Sequence, residues 1–303
     1  LFYGIKSLKT MNKLIIAFLA STCIFSNCSA QWVQKPSIPD GPIISAGFEI
    51  GNKIYLVSGT DGEYFYNKVY EYDIVTNQWT QKSNFPGTAR VGAVAFSVNN
   101  KGYFGLGISS TNTLSDIWEY DPTNDQWTQK TTFPGGSRIE AVGFSLGNKG
   151  YVGTGFRNIN LSTTKVFDDF WEYEPISNTW TEKASVPTLS TITGRADAVG
   201  IGMGDKGYIG LGNDKQTTDY NDFYEFNPVS NSWTSISPLP GQGRSGAGIF
   251  SLQNELYIVG GANYTLGFGT NTVRKWNPVS GNWTNSDNFG GGTIINPVSI
   301  GIG

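Results

Sequence analysis

A tryptophan-centred pattern recurs along the chain with a period of about fifty residues. Six tryptophans are separated by 47, 48, 53, 53 and 50 residues: Trp32, Trp79, Trp127, Trp180, Trp233 and Trp283. The residues leading into the last five share one order, which is an aromatic residue, an acid or amide, usually a proline, a turn and the tryptophan. Self-similarity at this period indicates a repeat architecture, in which each unit is stabilised by packing against its neighbours.

Each repeat is predicted to contain two hairpins and therefore four strands. In the second copy, Trp118 and Tyr120 alternate with polar residues, the period-two pattern of a half-buried strand. Pro122 then presets a turn that leads into the Trp127 strand. A second hairpin precedes the first in every repeat, with turns at Gly51-Asn52, Asn99-Asn100, Gly147-Asn148, Gly204-Asp205 and Gln253-Asn254.

With glycines ending the second strand and a spaced tyrosine and tryptophan in the third and fourth, the chain resembles the kelch family. The matching glycines are Gly260-Gly261 and, interpreted as pairs with one residue inserted, Gly105/Gly107, Gly153/Gly155 and Gly210/Gly212, with Gly59 alone in the first repeat. The resemblance implies an all-β, kelch-type β-propeller of six four-stranded blades. The repeated tryptophans are then core residues between blades.

The repeat boundaries predict a propeller over residues 31–303, with its last blade incomplete. A closing strand is expected at 31–35, blades at about 42–82, 90–130, 138–183, 195–236 and 244–286, and a partial blade at 293–303. Residues 297–303 superpose on 198–204, so the sequence stops where the next turn is expected, as in a truncated reading frame.

Residues 1–30 are predicted to be upstream residues and a secretory signal peptide, because Lys13 precedes an apolar run that ends before Cys28-Ser29-Ala30. The mature chain is then expected in the periplasm, at the cell surface or secreted; lipidation of Cys28 is the alternative.

No later segment has the roughly 20 apolar residues that a membrane-spanning helix needs. After the leader, 18 basic against 24 acidic residues give a net charge of −6, which disfavours nucleic acid as a partner. A monomer is expected.

Strand order assigns the propeller's two faces. The connections between second and third strands lie on the face where each first strand starts, here called the loop face. They cover about 60–67, 108–115, 156–168, 213–221 and 262–271. Variable loops on a rigid scaffold are where binding usually occurs, so a protein or glycan ligand is expected on the loop face.

An arginine stands thirteen residues before the second-strand tyrosine in four repeats: Arg90, Arg138, Arg195 and Arg244. Four guanidiniums near the axis predict an electropositive mouth that binds carboxylates. In kelch modules that bind acidic peptides this arginine is a pocket residue, and the resemblance implies the same here. Ser245, Phe156 and Asn213 are further candidate ligand contacts.

The alternative is that each arginine is structural and pairs with a nearby acid. Glu140 and Asp197 lie two residues after Arg138 and Arg195. The other candidate partners are Glu119, Glu172 and Glu225.

The composition limits the catalytic possibilities. The chain has no histidine, and both cysteines lie in the predicted leader. Sites of the galactose oxidase type, histidine-based zinc sites and Ser-His-Asp triads therefore cannot be assembled, and no cofactor or metal is expected.

The predicted function is an exported, non-catalytic binding module for an acidic glycan or a protein ligand. The alternative is a sugar mutarotase or epimerase of the kelch N-acetylneuraminate epimerase type, with Glu140 and Asp197 as candidate acid and base.

Overall fold

The computed structural model describes residues 15–18, 31–39, 43–160, 163–188 and 194–301. Within these ranges the chain forms five four-stranded antiparallel sheets, one for each complete repeat. The first strands of consecutive sheets lie beside one another, which places the sheets as blades around an axis. The prediction of an all-β propeller is confirmed. In the described part of the chain, no helix has the length and apolar character to cross a membrane.

The blades are numbered in chain order, and each follows the strand order of its sequence. Blade one contains β3 (Ile43–Ile50), β4 (Lys53–Thr60), β5 (Phe65–Asp73) and β6 (Gln78–Lys82). Blade two contains β7 (Val94–Val98), β8 (Lys101–Gly105), β9 (Ile117–Asp121) and β10 (Gln126–Gln129). Blade three contains β11 (Val142–Leu146), β12 (Lys149–Gly153), β15 (Phe170–Glu174) and β16 (Thr179–Lys183).

Blades four and five complete the set. Blade four contains β17 (Val199–Met203), β18 (Lys206–Gly210), β19 (Phe223–Asn227) and β20 (Ser232–Ile236). Blade five contains β21 (Gly248–Leu252), β22 (Glu255–Val259), β25 (Val273–Asn277) and β26 (Asn282–Ser286). Two loop-face connections form small hairpins, β13 (Phe156–Asn158) with β14 (Thr164–Val166), and β23 (Ala262–Asn263) with β24 (Phe268–Gly269).

The predicted hairpin turns are confirmed by the strand register. The first two strands of each blade are joined by two residues, as in the pairing of Val98 with Lys101 across Asn99-Asn100. The first turn residue has a positive φ in every blade, and it is glycine, asparagine or glutamine: Gly51, Asn99, Gly147, Gly204 and Gln253. The turns between third and fourth strands are held by the acid or amide that opens them. For example, Asp73 Oδ1 accepts hydrogen bonds from the backbone N–H groups of Val75 and Thr76.

The prediction that three repeats carry an extra residue between the two glycines after the second strand is wrong. Leu106 occupies the position of Gly260, because each carbonyl accepts a hydrogen bond from the blade's own arginine sixteen residues earlier. Both residues have a positive φ, of 58° and 65°. Leu106-Gly107 is therefore equivalent to Gly260-Gly261: a leucine with a left-handed backbone replaces the first glycine of the pair, and no residue is inserted. The second position does need glycine, because a Cβ on Gly107 would lie 2.6 Å from the carbonyl oxygen of Val91.

Aromatic side chains fill the space between blades. Phe226 of blade four packs on Tyr151 and Phe170 of blade three, with ring centroids 5.9 and 5.0 Å away, and on Trp233 of its own blade at 4.9 Å. The indole of Trp233 also donates a hydrogen bond to the carbonyl of Ala184, in the segment that arrives from the preceding blade. The repeated tryptophans therefore belong to the inter-blade core, as predicted.

Segments from both ends of the chain lie between blades five and one. Trp32 packs on Phe250 and Phe289 of blade five, with ring centroids 6.2 and 5.2 Å away. Its strand β2 (Gln31–Gln34) pairs with β1 (Ile15–Phe18), and β1 falls within the predicted leader. Most of that leader lies outside the described residues, so the signal peptide stays a prediction. On the other side, Val298 and Ile300 pack against blade one.

Replacing Phe226 by alanine is expected to lower the free energy of unfolding by about 3–5 kcal/mol, since the ring is fully buried between two blades. Urea unfolding followed by tryptophan fluorescence measures the change. Ile176→Ala is the control, because Ile176 is 84% exposed and its loss is expected to change stability by less than about 0.5 kcal/mol. Equal effects of the two substitutions would contradict this packing.

Candidate functional site

Three of the four predicted arginines are fully buried and paired with an aspartate of their own blade. Arg90 binds Asp116 through two hydrogen bonds, of 2.6 and 2.8 Å. Arg195 binds Asp222 through two of 2.9 Å. The third pair is Arg138 with Asp169. This geometry is that of the structural alternative, while a ligand-binding role of these arginines stays a prediction.

The acids suggested by the sequence as partners of these arginines are not their partners in the structure. Each actual partner stands immediately before the third strand of its blade. Glu119, Glu172 and Glu225 instead accept hydrogen bonds from second-strand tyrosine hydroxyls, at 2.7, 2.6 and 3.1 Å. Burial by itself raises the pKa of Asp116, but the hydrogen bond and charge of Arg90 outweigh it and hold that pKa below its usual value.

The fourth arginine, Arg244, has no aspartate partner among the described residues. The Arg244 side chain donates from Nη1 to the carbonyl of Gly260 at 3.0 Å and to the hydroxyl of Thr272 at 2.9 Å. Thr272 stands where the other blades have aspartate, directly before the third strand. Burial, together with the positive charge of Arg274, lowers the pKa of Arg244 to about 10.

The residues two positions after the arginines form a second ring near the axis. They share a positive φ of 51° to 62°: Gly92, Glu140, Asp197 and Gly246. Their backbones are linked across blades, since Glu140 N–H donates to Gly92 at 3.0 Å and Gly246 N–H donates to Asp197 at 3.0 Å. Among the described residues, Glu140 and Asp197 form ion pairs with Lys215 and not with the arginines.

Lys215 joins these two acids. Its Nζ lies 3.0 Å from Asp197 Oδ2 and also contacts Glu140 Oε2 directly. The side chains of Lys215, Glu140 and Asp197 are 20%, 26% and 9% exposed, so the charges are largely shielded from water. We call these three residues the axial cluster.

Two residues of the axial cluster, Glu140 and Lys215, have shifted pKa values. Burial raises the pKa of Glu140 to about 8, and the charge of Asp197 acts in the same direction, whereas Lys215 opposes both. Burial by itself lowers the pKa of Lys215, but the charges of Asp197 and Glu140 outweigh it and raise that pKa above its ordinary value. Glu140 is therefore a carboxyl group that can hold or release a proton near neutral pH.

Loop residues surround the axial cluster. Lys215 Nζ lies 4.4 Å from the centroid of the Phe156 ring, which begins β13. Tyr264, in the turn between β23 and β24, is 55% exposed. Burial of the hydroxyl and the negative charges of Asp197, Glu140 and Asp219 raise the pKa of Tyr264, against the opposing charge of Lys215. The turn that carries Tyr264 contacts the loop that carries Lys215, since Thr265 Oγ1 donates to the carbonyl of Thr217 at 2.8 Å. The site thus combines residues from blades three, four and five.

The other sequence-predicted contacts support the loops. Asn213 Oδ1 accepts a hydrogen bond from the backbone N–H of Lys215 at 3.0 Å, so it shapes the turn that carries the lysine. Ser245 is fully buried and donates to Asp219 at 3.0 Å. Asp219 in turn accepts the Thr265 N–H of the next blade's loop at 3.2 Å. Asn213 and Ser245 thus hold the loops in place, and a ligand contact of either stays a prediction. Of the three residues, only Phe156 has a side chain that contacts a side chain of the axial cluster.

Sequence reasoning missed Lys215 and Tyr264 because both stand in loops without a repeat counterpart. One signal was available: Glu140 and Asp197 are acids at a repeat position that is glycine in blades two and five. An acid where a repeat otherwise has glycine indicates a local role.

The fold is a β-propeller whose irregular connections lie on the loop face, beside the axial cluster. The kelch motif matches residues 48–86 and 243–288. Kelch-like protein 35 of Mus musculus is 29% identical over 122 residues, which are 38% of this chain and 19% of that protein. The chain therefore spans only a small part of that relative.

A solved structure described as "Structure of YjhT" superposes with a TM-score of 0.73 at 19% identity, covering 88% of this chain and 89% of that one. At this identity the likeness shows the fold. Together with the motif matches and the repeat, it supports a kelch-repeat β-propeller.

Stability is expected to depend on pH through Glu140. Its folded-state pKa of about 8 lies above the ordinary 4.5, so its stabilisation is present below about pH 4.5 and is lost as pH rises through about 8. Glu140→Gln keeps a neutral side chain of the same shape, so its stability relative to wild type should increase from about pH 5 to about pH 8.5.

Urea unfolding of both proteins at the two pH values measures this difference, with exposed Glu63→Gln as the control. A difference between Glu140→Gln and wild type that is independent of pH, or that grows toward acid, would contradict the assignment.

Proposed function

We propose that this protein is a binding module that holds a hydroxyl-rich glycan on its loop face, over the axial cluster. The observation that carries the proposal is the contact of Lys215 with both Glu140 and Asp197 at the mouth of the axis. Two acids and a lysine, brought together from separate segments, are the convergent polar groups typical of ligand sites.

The chemistry of these groups suits sugar hydroxyls. Carboxylate oxygens of Asp197 accept hydrogen bonds from hydroxyl groups, and Lys215 can donate to ring or hydroxyl oxygens. The exposed Tyr264 ring offers an apolar surface with a polar tip, a combination that suits the faces of a sugar ring. Burial of the cluster strengthens each of these bonds relative to water.

The acidic ligand predicted from four free arginines receives less support from the contacts. Arg90, Arg138 and Arg195 are already neutralised by aspartates, so they add little positive potential at the mouth. An acidic group on the glycan would rely on Lys215 or on Arg244. Export of the protein remains part of the proposal and is supported by the sequence of residues 1–30 alone.

Binding is tested with a glycan array, followed by calorimetric titration of the best-binding glycan. Asp197→Asn and Lys215→Met are each expected to weaken its affinity by about tenfold or more, because a charged hydrogen bond contributes about 1.5–3 kcal/mol. Glu119→Gln is the matched control, since Glu119 bonds Tyr103 and Lys101 near the opposite face. Absence of glycan binding, or equal affinities for all four proteins, would contradict the proposal.

A second candidate function is interconversion of sugar anomers or epimers. Glu140, with its pKa near 8, lies beside Asp197, and such a pair can act as general acid and general base. Exchange NMR of sialic acid anomers, with wild type and Glu140→Gln, separates the two functions. Binding without faster interconversion excludes catalysis, and interconversion that Glu140→Gln abolishes supports it.

A further inference from the structure

Blade five breaks the arrangement that neutralises the buried arginine in three other blades. In blade two, Asp116 accepts two hydrogen bonds from Arg90 and a third from the indole of Trp118 at 2.7 Å. In blade three, the indole of Trp171 donates to Asp169 at 2.9 Å in the same way. One carboxylate therefore binds both the guanidinium and the aromatic residue two positions later.

In blade five both partners of the arginine differ. Thr272 replaces the aspartate and Arg274 replaces the tryptophan, so the carboxylate is gone and a second cation is added. Arg244 is only 8% exposed, and the Nε of Arg274 is buried without a hydrogen-bond partner. Among the described residues no carboxylate forms an ion pair with either guanidinium, and Asp40 is the one acidic residue outside them.

Hydroxyl groups complete the surroundings. Thr272 Oγ1 accepts a hydrogen bond from Arg244 at 2.9 Å and another from Thr270 Oγ1 at 3.1 Å. The equivalent place is open to water in blades two and three, since the side chains of Asp116 and Asp169 keep 22% and 20% of their surface exposed, whereas Asp222 of blade four keeps 7%. A threonine is shorter than an aspartate and leaves room for an incoming group.

We propose that blade five binds an oxyanion between Arg244 and Arg274, where blades two to four have an aspartate carboxylate. The guanidinium of Arg244 is buried, and that of Arg274 is half-buried with its Nη1 bonded to Asn285 Oδ1. Neither has a counterion among the described residues, which is unfavourable, and a phosphate, sulfate or carboxylate supplies the missing acceptor oxygens. The oxyanion can be free in solution or can be the acidic group of a glycan. Neither arginine contacts the axial cluster, so the proposal does not depend on the sugar site.

The test is thermal unfolding with added inorganic phosphate, with chloride adjusted to constant ionic strength. Wild type is expected to gain about 3 to 6 °C in Tm at a phosphate concentration of roughly ten times Kd. Thr272→Asp restores the carboxylate of the other blades, so it should raise Tm without phosphate and remove the phosphate response. Equal phosphate responses of wild type and Thr272→Asp, or no response in wild type, would overturn the proposal.

A matched variant creates the same situation elsewhere. Asp222→Thr removes the counterion of Arg195 in blade four and is expected to lower Tm and to introduce a phosphate response at that blade. Glucuronate and glucose, compared at equal concentration, distinguish the sources of the oxyanion. Stabilisation by glucuronate and not glucose, absent in Thr272→Asp, supports an acidic sugar. Stabilisation by phosphate alone supports a free anion.

Discussion

A guanidinium buried just before the first strand determines how the loop-face end of blades two to five is arranged. An unpaired buried charge is strongly unfavourable, so the blade must supply acceptors close to it. Arg195 shows the solution, with Nη1 bonded to the carbonyl that ends the second strand and both nitrogens bonded to the aspartate that precedes the third. One side chain thereby fixes three strands and the base of the loop between them.

The same constraint decides which charges remain for function. Where the aspartate is present, it neutralises the arginine, so the arginine adds no positive charge to the mouth of the axis. Charge then remains in two places. One is the axial cluster, where Lys215 lies between Glu140 and Asp197. The other is blade five, where Arg244 bonds a threonine in place of an acid. Both places are departures from the repeat, whereas the repeated features themselves stabilise the propeller.

The sequence predicted the features that depend on local spacing. Strand alternation, two-residue hairpins and the packing of Trp233 follow from residue types at fixed separations, and each was found as expected. The partners of the arginines were not predictable in this way. Asp116 follows Arg90 by 26 residues and Asp169 follows Arg138 by 31, because loops of different length intervene. Nearby acids such as Glu140 are closer in sequence, but Glu140 and Asp197 pair with Lys215 instead. Lys215 reaches the axial cluster from a loop whose sequence is not repeated in the other blades.

The central claim is that the buried arginines hold the blades together through their aspartates. A double-mutant cycle on the unfolding free energy, with Arg195→Met, Asp222→Leu and both together, tests it most directly. Each single substitution is expected to cost about 3–5 kcal/mol, because it leaves the other charge buried and unpaired. The double variant should cost less than the sum of the two by about 2 kcal/mol or more. Small and additive effects would show that the pair does not hold the blade, and would return Arg195 to the candidates for ligand binding.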